Sequence, residues 1–333
     1  MTFIHEDRDF DDLLTIVADQ RGLTTGLVEK DYWVTHVLWA LQHQGFDIWF
    51  KGGTSLSKGF GLIERFSEDL DLKIEAGSVA ELPEVADWSR PSKTATEQRR
   101  RYFESLAVLL RIPDTEVALS VPVDERRWTG ANLEIRYPGR HMDELGILKP
   151  FVLLEVGNAR VTPALERDLT SFVHEYLATI GRLNDYQDNR PRALRCVHPL
   201  VTLVEKLDNL HSRVPRSDRG PAAFVRHFED AARIIVAADS LPVLDGYHDV
   251  SALTDGMLTE RQIRQRPVSN DPAFDPRDDG RWRDIRAAYT AIGPMFWGNR
   301  IDLDVACATI RAWIAAELER GRYPRSGNRW GSC

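Results

Sequence analysis

In the segment 69–74, DLDLKI, every second residue is aliphatic. Side chains i and i+2 of a β-strand face the same way, so the pattern predicts a strand with one buried face. Asp69 and Asp71 then lie together on the opposite face, where they are available for chemistry.

A short apolar run over 48–50 ends at Gly52 and Gly53, as expected for a buried strand followed by a turn. Two glycines allow the backbone to approach a ligand closely. Thr54 and Ser55 follow where a short helix would begin, and the amides and dipole of a helix start favour an anion such as phosphate. A phosphate-binding turn beside two carboxylates predicts a Mg²⁺ site, because Mg²⁺ prefers a few carboxylates, waters and substrate phosphates.

Other segments of the first half combine helical and strand-like patterns. Helical spacing of apolar residues is found over 8–20, about 27–42 and 95–111, and strand-like runs over 116–121, 131–137 and 148–157. We therefore expect residues 45–160 to form a mixed sheet. The charged triplet Glu29, Lys30 and Asp31 opens the second helix, and its simplest interpretation is a solvated, partly capped helix start.

The run 148–157, LKPFVLLEVG, is nearly continuous aliphatic with one acid, Glu155. A carboxylate in such a strand is costly to bury unless it is paired or binds a metal. The alternative is that Glu155 lies at the exposed end of the strand.

The composition of the chain changes after about residue 190. From Arg192 onwards strands give way to helices, predicted over 198–212, 222–238, 281–292 and 301–320. We expect an α/β domain over 1–190 and a helical domain over 191–333.

Composition restricts the possible partners. The 333 residues are 43% hydrophobic and 28% charged, with a net charge of −8, so nucleic-acid binding would require a local basic patch. Cys196, Cys307 and Cys333 are far apart, which favours neither disulfides nor zinc and suits a reducing cytoplasm. The N-terminus lacks the pattern of a signal peptide, and no apolar run has the roughly 20 residues that span a membrane. We expect a cytoplasmic protein.

The order of the two motifs, GGTSLSK followed by RFSEDLDL, resembles the signature of nucleotidyltransferases of the DNA polymerase β superfamily. The residues of the two motifs are similar, more specifically, to those of the AbiEii/AbiGii toxins, the enzyme half of type IV toxin–antitoxin systems. The resemblance implies a polymerase β-like mixed sheet with flanking helices and a C-terminal helical domain. It also implies transfer of a nucleoside monophosphate from a nucleoside triphosphate to an acceptor hydroxyl with Mg²⁺ or Mn²⁺.

The same resemblance implies a biological role. The expected acceptor is the 3′ end of a tRNA, or another RNA, whose modification would block translation and growth. A role in phage defence and a cognate antitoxin are implied as well.

Family motifs match this chain at a glycine turn, a serine with Asp-x-Asp, a downstream lysine and a later aspartate. The resemblance implies that the catalytic residues are Asp69, Asp71, Lys206 and Asp230. Residues implied to bind the nucleotide are Gly52, Gly53, Thr54, Ser55, Ser67 and Lys206. Lys58 and Arg65 are cations within the same stretch, and we expect them to bind the nucleotide phosphates as well. The implied metal ligands are Asp69, Asp71 and Glu155, since the superfamily has a third carboxylate on a neighbouring strand.

Three of these assignments have plainer alternatives. Lys206 lies off the apolar stripe of its helix and Asp230 lies on a polar helical face, so both could be solvated. Lys58 could be a surface lysine. Glu229 departs from the family, in which aromatic residues are common at that position, and the last hundred residues carry no matching motif.

The case for an RNA acceptor and the rival functions stay open at this point. Residues 181–233 contain ten Lys or Arg and seven Asp or Glu, and 321–333 combines Arg322, Arg325 and Arg329 with Tyr323 and Trp330. Basic residues among aromatics suit single-stranded RNA, although 324–333 could equally be a disordered tail. The rivals are a nucleotidyltransferase acting on a small molecule or protein, a metal-dependent glycosyltransferase and a non-catalytic binding protein.

Overall fold

The computed structural model describes residues 1–67, 69–120, 126–146, 148–216 and 220–319. The chain divides into two compact units, Met1–Val197 and His198–Cys333. The first unit contains a mixed β-sheet with helices, and the described part of the second is helical. The predicted α/β fold with a C-terminal helical region is thereby confirmed, whereas the assignment of 1–190 as a functional domain stays a prediction.

The first unit is built on a sheet that, within the described residues, has seven strands in the order β3–β4–β5–β2–β1–β7–β6. The strands are β1 Asp47–Lys51, β2 Asp69–Glu75, β3 Glu116–Leu119, β4 Gly130–Arg136, β5 Val152–Gly157, β6 Ala164–Arg167 and β7 Leu194–Val197. β2 lies at the centre of the sheet, antiparallel to β1 and parallel to β5. The strand with the two aspartates therefore has a hydrogen-bonded neighbour on each side.

One face of the sheet is buried and the other is more polar. In β2, Leu70, Leu72 and Ile74 are at most 2% exposed, and the residues between them are partly exposed. The alternation predicted for 69–74 is thus confirmed. The helices of this unit are α1 Phe10–Arg21, α2 Thr25–His43, α3 Gly52–Lys58, α4 Lys93–Leu109 and α5 Phe172–Thr179.

The start of α2 does not behave as the sequence suggested. Glu29, Lys30 and Asp31 were expected on a solvated helix start, but their exposures are 1%, 0% and 4%. The expectation was wrong because each charged group has a partner in a segment more than a hundred residues away, and Asp31 also pairs with Lys58. These partners compensate the cost of burying the three charges.

The expectation that strands give way to helices from Arg192 was also wrong. β7 begins at Leu194 and pairs in parallel with β1 and antiparallel with β6. Its four residues, LRCV, are too few to show a period, and neither β6 nor α5 was anticipated.

The second unit consists of helices. They are α6 Pro199–Arg213, α7 Arg226–Val236, α8 Val250–Thr259, α9 Gly280–Ala291 and α10 Leu303–Trp313, which continues as one π-helical turn over Ile314–Leu318. All but α8 overlap a predicted helix. No helix within the described ranges is both long and apolar enough to cross a bilayer. The predicted basic and aromatic tail over 321–333 lies outside the described residues.

Candidate active site

The two glycines at the end of β1 bring the backbone against the carboxylate strand. Gly52 has φ +75°, and a Cβ at this position would lie 2.8 Å from Cγ of Asp71 and closer still to Oδ2. A Cβ on Gly53 would lie 2.8 Å from the Ser67 hydroxyl and 2.7 Å from Nη2 of Arg65. Heavy atoms do not approach so closely without displacement, so glycine is required for this turn to contact Asp71 and Ser67.

Asp69 and Asp71 lie on the more exposed face of β2, each partly buried. The Thr54 hydroxyl donates to the backbone oxygen of Asp69 at 3.0 Å and so ties α3 to the start of β2. The predicted neighbourhood of glycine turn, Ser67 and paired aspartates is therefore present in one compact unit. Their catalytic roles stay a prediction.

A row of polar side chains crosses the sheet at the level of Asp71. In the strand register Asp71 is opposite Lys51 on β1 and opposite Glu155 on β5. Glu155 is in turn opposite Asn132 on β4, whose Oδ1 is buried and has no hydrogen-bond partner among the described residues. Glu155 thus shares a sheet face with Asp71 and lies beside it, partly buried.

This donor set suits a hard divalent cation. Carboxylate oxygens are the ligands that Mg²⁺ prefers, and Asp69 and Asp71 lie on the same, partly exposed face of β2. In the part of the chain that the structure describes, no group of three or more His, Cys, Asp or Glu lies close enough to share an ion. Asp69 and Asp71 therefore fit a metal as a pair, and the role of Glu155 as a third ligand stays a prediction.

One cation beside the aspartates was missed by sequence reasoning. The ammonium of Lys149 lies 3.2 Å from Oδ1 of Asp69. Its position in the opening of the aliphatic run 148–157 was a usable signal, because the segment before a strand parallel to β2 must lie near the start of β2.

The hydroxyl-bearing residues of the glycine turn are buried. Thr54 is 5% exposed and Ser55 is 1% exposed. Ser55 lies beside Cys196, whose pKa is raised to about 11 by burial. Contact of Thr54 and Ser55 with a nucleotide stays a prediction.

Arg65 is buried, and the Lys58 side chain is only 9% exposed. The Lys58 ammonium lies 2.6 Å from Asp31 and donates to the Thr170 oxygen at 2.9 Å, so the surface-lysine alternative was wrong. Arg65 is 1% exposed and donates to the Phe66 oxygen at 2.8 Å. Both side chains brace the segment around the glycine turn, and contact with a nucleotide stays a prediction for each.

The buried triplet of α2 fixes three segments of the first unit. The Glu29 carboxylate accepts the backbone N–H groups of Arg140 and His141 at 3.0 Å. Lys30 donates to the backbone oxygen atoms of Lys149 and Phe151, and the Asp31 carboxylate accepts the N–H of Phe172. Consecutive residues of one helix thereby hold the segments that precede β5 and α5.

In the second unit, Lys206 of α6 and Asp230 of α7 form a buried ion pair. The ammonium lies 2.7 Å from Oδ2 of Asp230, and the two residues are 5% and 0% exposed. The solvated alternatives for both were therefore wrong. His227 lies 3.5 Å from the same ammonium, and burial together with that charge holds its pKa well below the usual value, so its imidazole is neutral.

Glu229, the departure from the family pattern, has a structural role. Its carboxylate is 1% exposed and accepts hydrogen bonds from Arg300 at 2.6 Å, from the Tyr289 hydroxyl at 3.1 Å and from the N–H of Ile301 at 3.1 Å. It therefore ties α7 to α9 and to the segment before α10.

Comparison with known proteins agrees with the motifs. No curated protein matches the chain. The crystal structure of JHP933 from Helicobacter pylori aligns over 87% of this chain and 91% of that chain, at 16% sequence identity and a TM-score of 0.37. The family model described as "Nucleotidyl transferase AbiEii toxin, Type IV TA system" matches residues 37–308, a range that includes Asp69, Asp71, Lys206 and Asp230. This chain belongs to the AbiEii family of nucleotidyl transferase toxins of type IV toxin–antitoxin systems.

Proposed function

We propose that this protein transfers a nucleoside monophosphate from a nucleoside triphosphate to the 3′ end of a tRNA, with Mg²⁺ or Mn²⁺, and thereby blocks translation. The terminal hydroxyl attacks the α-phosphorus, and pyrophosphate leaves. The family supplies the reaction class and implies a nucleotide substrate and an antitoxin partner. The metal, the acceptor, a cytoplasmic location and a role in phage defence are parts of the proposal.

The observation that carries the proposal is the contact between the glycine turn and the aspartates. Gly52 approaches Asp71 so closely that no side chain fits between them. A phosphate held by the backbone of this turn would therefore lie beside a carboxylate pair. This juxtaposition is what transfer of a nucleotidyl group to a hydroxyl requires, because positioning and charge neutralisation supply most of the catalysis.

We assign roles to individual residues on that basis. Asp69 and Asp71 hold the divalent metal, with Glu155 as the third candidate ligand, and Ser67 hydrogen-bonds phosphate. A metal bound there would neutralise charge on the transferring phosphoryl group. For Lys206 we propose contact with the triphosphate and for Asp230 the orientation of that ammonium, which its 2.7 Å ion pair supports.

Transfer is tested by incubating the protein with each labelled nucleoside triphosphate and total RNA, and by measuring which RNA gains label. Asp71→Asn should lower transfer by about 100-fold or more, since loss of a metal carboxylate removes several kcal/mol of transition-state stabilisation. Glu75→Gln is the matched control, because Glu75 is on the same strand and is half exposed at its far end.

The outcomes separate the candidate functions. Label in a tRNA that is lost in Asp71→Asn and kept in Glu75→Gln supports the proposal. Label in a small molecule or a protein would show that the acceptor is not a tRNA. Absence of transfer with every nucleotide would favour a non-catalytic binding protein. In bacteria, expression of the wild-type chain should slow growth and Asp69→Ala should restore it, while equal toxicity of both would separate toxicity from this chemistry.

A further inference from the structure

We propose that Lys149 is the counter-cation of Asp69. Its ammonium pairs with the Asp69 carboxylate in the metal-free protein and leaves that carboxylate when a divalent metal and the triphosphate bind. This inference rests on the proposed metal role of Asp69 and adds a residue that the family motifs do not contain. Its consequence is that metal loading of the protein depends on the nucleotide.

The first observation is the ion pair itself. The Lys149 ammonium lies 3.2 Å from Oδ1 of Asp69, whose side chain is 17% exposed. A mostly buried carboxylate needs a partner, and this ammonium supplies a full opposite charge. Asp69 has two oxygen atoms to offer a metal, and Lys149 contacts one of them.

The second observation is the charge of this face of the sheet. Asp69 and Asp71 share one side of β2, and Glu155 is opposite Asp71 on β5. Carboxylates on one face of a sheet repel one another, and a nearby cation offsets part of that repulsion when no metal is present. Lys149 therefore stabilises the arrangement that a metal would otherwise have to assemble.

The third observation is that the backbone of Lys149 is held in place whereas its side chain can move. The fully buried Lys30 ammonium donates to the backbone oxygen of Lys149 at 2.5 Å and to that of Phe151 at 3.0 Å. The Lys149 side chain itself is 38% exposed. It can therefore leave Asp69 without displacement of β5, the strand that carries Glu155.

These observations predict competition at Asp69. A compact, strongly hydrated ammonium and a divalent cation cannot occupy the same side of one carboxylate oxygen, and they repel each other. We therefore expect a metal at Asp69 to repel and displace the Lys149 ammonium, and the cost of this displacement weakens the affinity of the free protein for metal. A bound triphosphate offers the displaced ammonium a new negative partner and so removes the penalty.

The test is a titration of the nucleotide-free protein with Mn²⁺, followed by electron paramagnetic resonance. We expect Lys149→Met to bind Mn²⁺ about tenfold more tightly than wild type, and Lys149→Arg, which keeps the charge, to bind as wild type does. The matched control is Lys73→Met, which removes a lysine from the same face of β2 whose ammonium pairs with Glu75 at 2.6 Å. It should leave Mn²⁺ binding unchanged.

A second titration includes a non-hydrolysable nucleoside triphosphate. There the difference between wild type and Lys149→Met should shrink to less than about twofold, because the triphosphate takes up the ammonium. Equal Mn²⁺ affinity of the two nucleotide-free proteins, or weaker binding by Lys149→Met, overturns the inference and leaves the proposed function standing. Failure of both proteins to bind Mn²⁺ overturns the inference together with the metal assignment of Asp69.

Discussion

Substitution of Gly52 by alanine should damage the candidate site far more than it damages the fold. Gly52 has φ +75°, a backbone conformation that costs an alanine about 1–2 kcal/mol. In addition, the new Cβ would lie 2.8 Å from Cγ of Asp71, so the carboxylate must rotate away or the turn must shift. Overpacking of this kind adds about 1–3 kcal/mol where the neighbours cannot move.

Gly61→Ala is a matched control, because it carries the same backbone penalty without the collision. Gly61 has φ +63°, and a Cβ there would meet nothing within 4 Å. We expect both variants to lose about 1–2 kcal/mol of unfolding free energy in urea from backbone strain. Only Gly52→Ala should also lose nucleotide transfer, by about 100-fold, since a 1 Å misplacement of a catalytic group has effects of that size.

The assay combines urea unfolding with transfer of labelled nucleotide to total RNA. Near-normal transfer by a folded Gly52→Ala protein would refute the reasoning, because Asp71 would then tolerate displacement or would not take part. Equal losses of transfer in Gly52→Ala and Gly61→Ala would point to a general loss of structure. The contact between the turn and the Asp71 carboxylate would then not explain the loss of transfer.

Three further predictions concern buried polar groups. Lys206→Met should lower the unfolding free energy by about 3–5 kcal/mol, because it leaves Asp230 charged and buried, and the double variant Lys206→Met/Asp230→Leu should recover most of the loss in a urea titration. Lys30→Met should cost about 2–3 kcal/mol by the same measurement, since two backbone oxygen atoms lose a charged donor. Burial lowers the pKa of His174 to about 4, and its Nε2–H donates to Asn189. The unfolded chain therefore takes up a proton at this residue first as the pH falls below about 6.5, and His174 alone should lower the stability by about 3 kcal/mol towards pH 4, so the total decline should be smaller in His174→Asn.

The parts of the site that could be predicted are those specified by local patterns. The alternation over 69–74 placed Asp69 and Asp71 on one face of a strand, and the glycine pair marked the turn that contacts them. Both inferences need only the period of a strand and the steric freedom of glycine. The neighbour relation of β2 and β1 is also expected, because strands that are consecutive in the chain are usually adjacent in a sheet.

The parts that could not be predicted depend on partners distant in sequence. Lys30 is bound by residues 119 and 121 positions away, and Lys149 meets Asp69 across 80 positions. The sequence shows that Lys206 lies off the apolar stripe of its helix, which predicts a solvated lysine. It does not show that a carboxylate on another helix compensates the burial of this ammonium. Helical periodicity predicts which apolar residues are buried, but it does not predict buried ion pairs.

The central position of β2 has a consequence for the lifetime of the site. Because β2 is paired along both edges, with β1 and with β5, its amide hydrogens are protected from solvent unless the whole unit opens. Deuterium uptake by β2 should therefore track global unfolding and be among the slowest in the first unit. Asp69 and Asp71 are on this slowly exchanging strand. Fraying of the edge strands β3 and β6 should therefore leave the spacing of the two carboxylates unchanged, and that spacing should be kept for as long as the first unit stays folded.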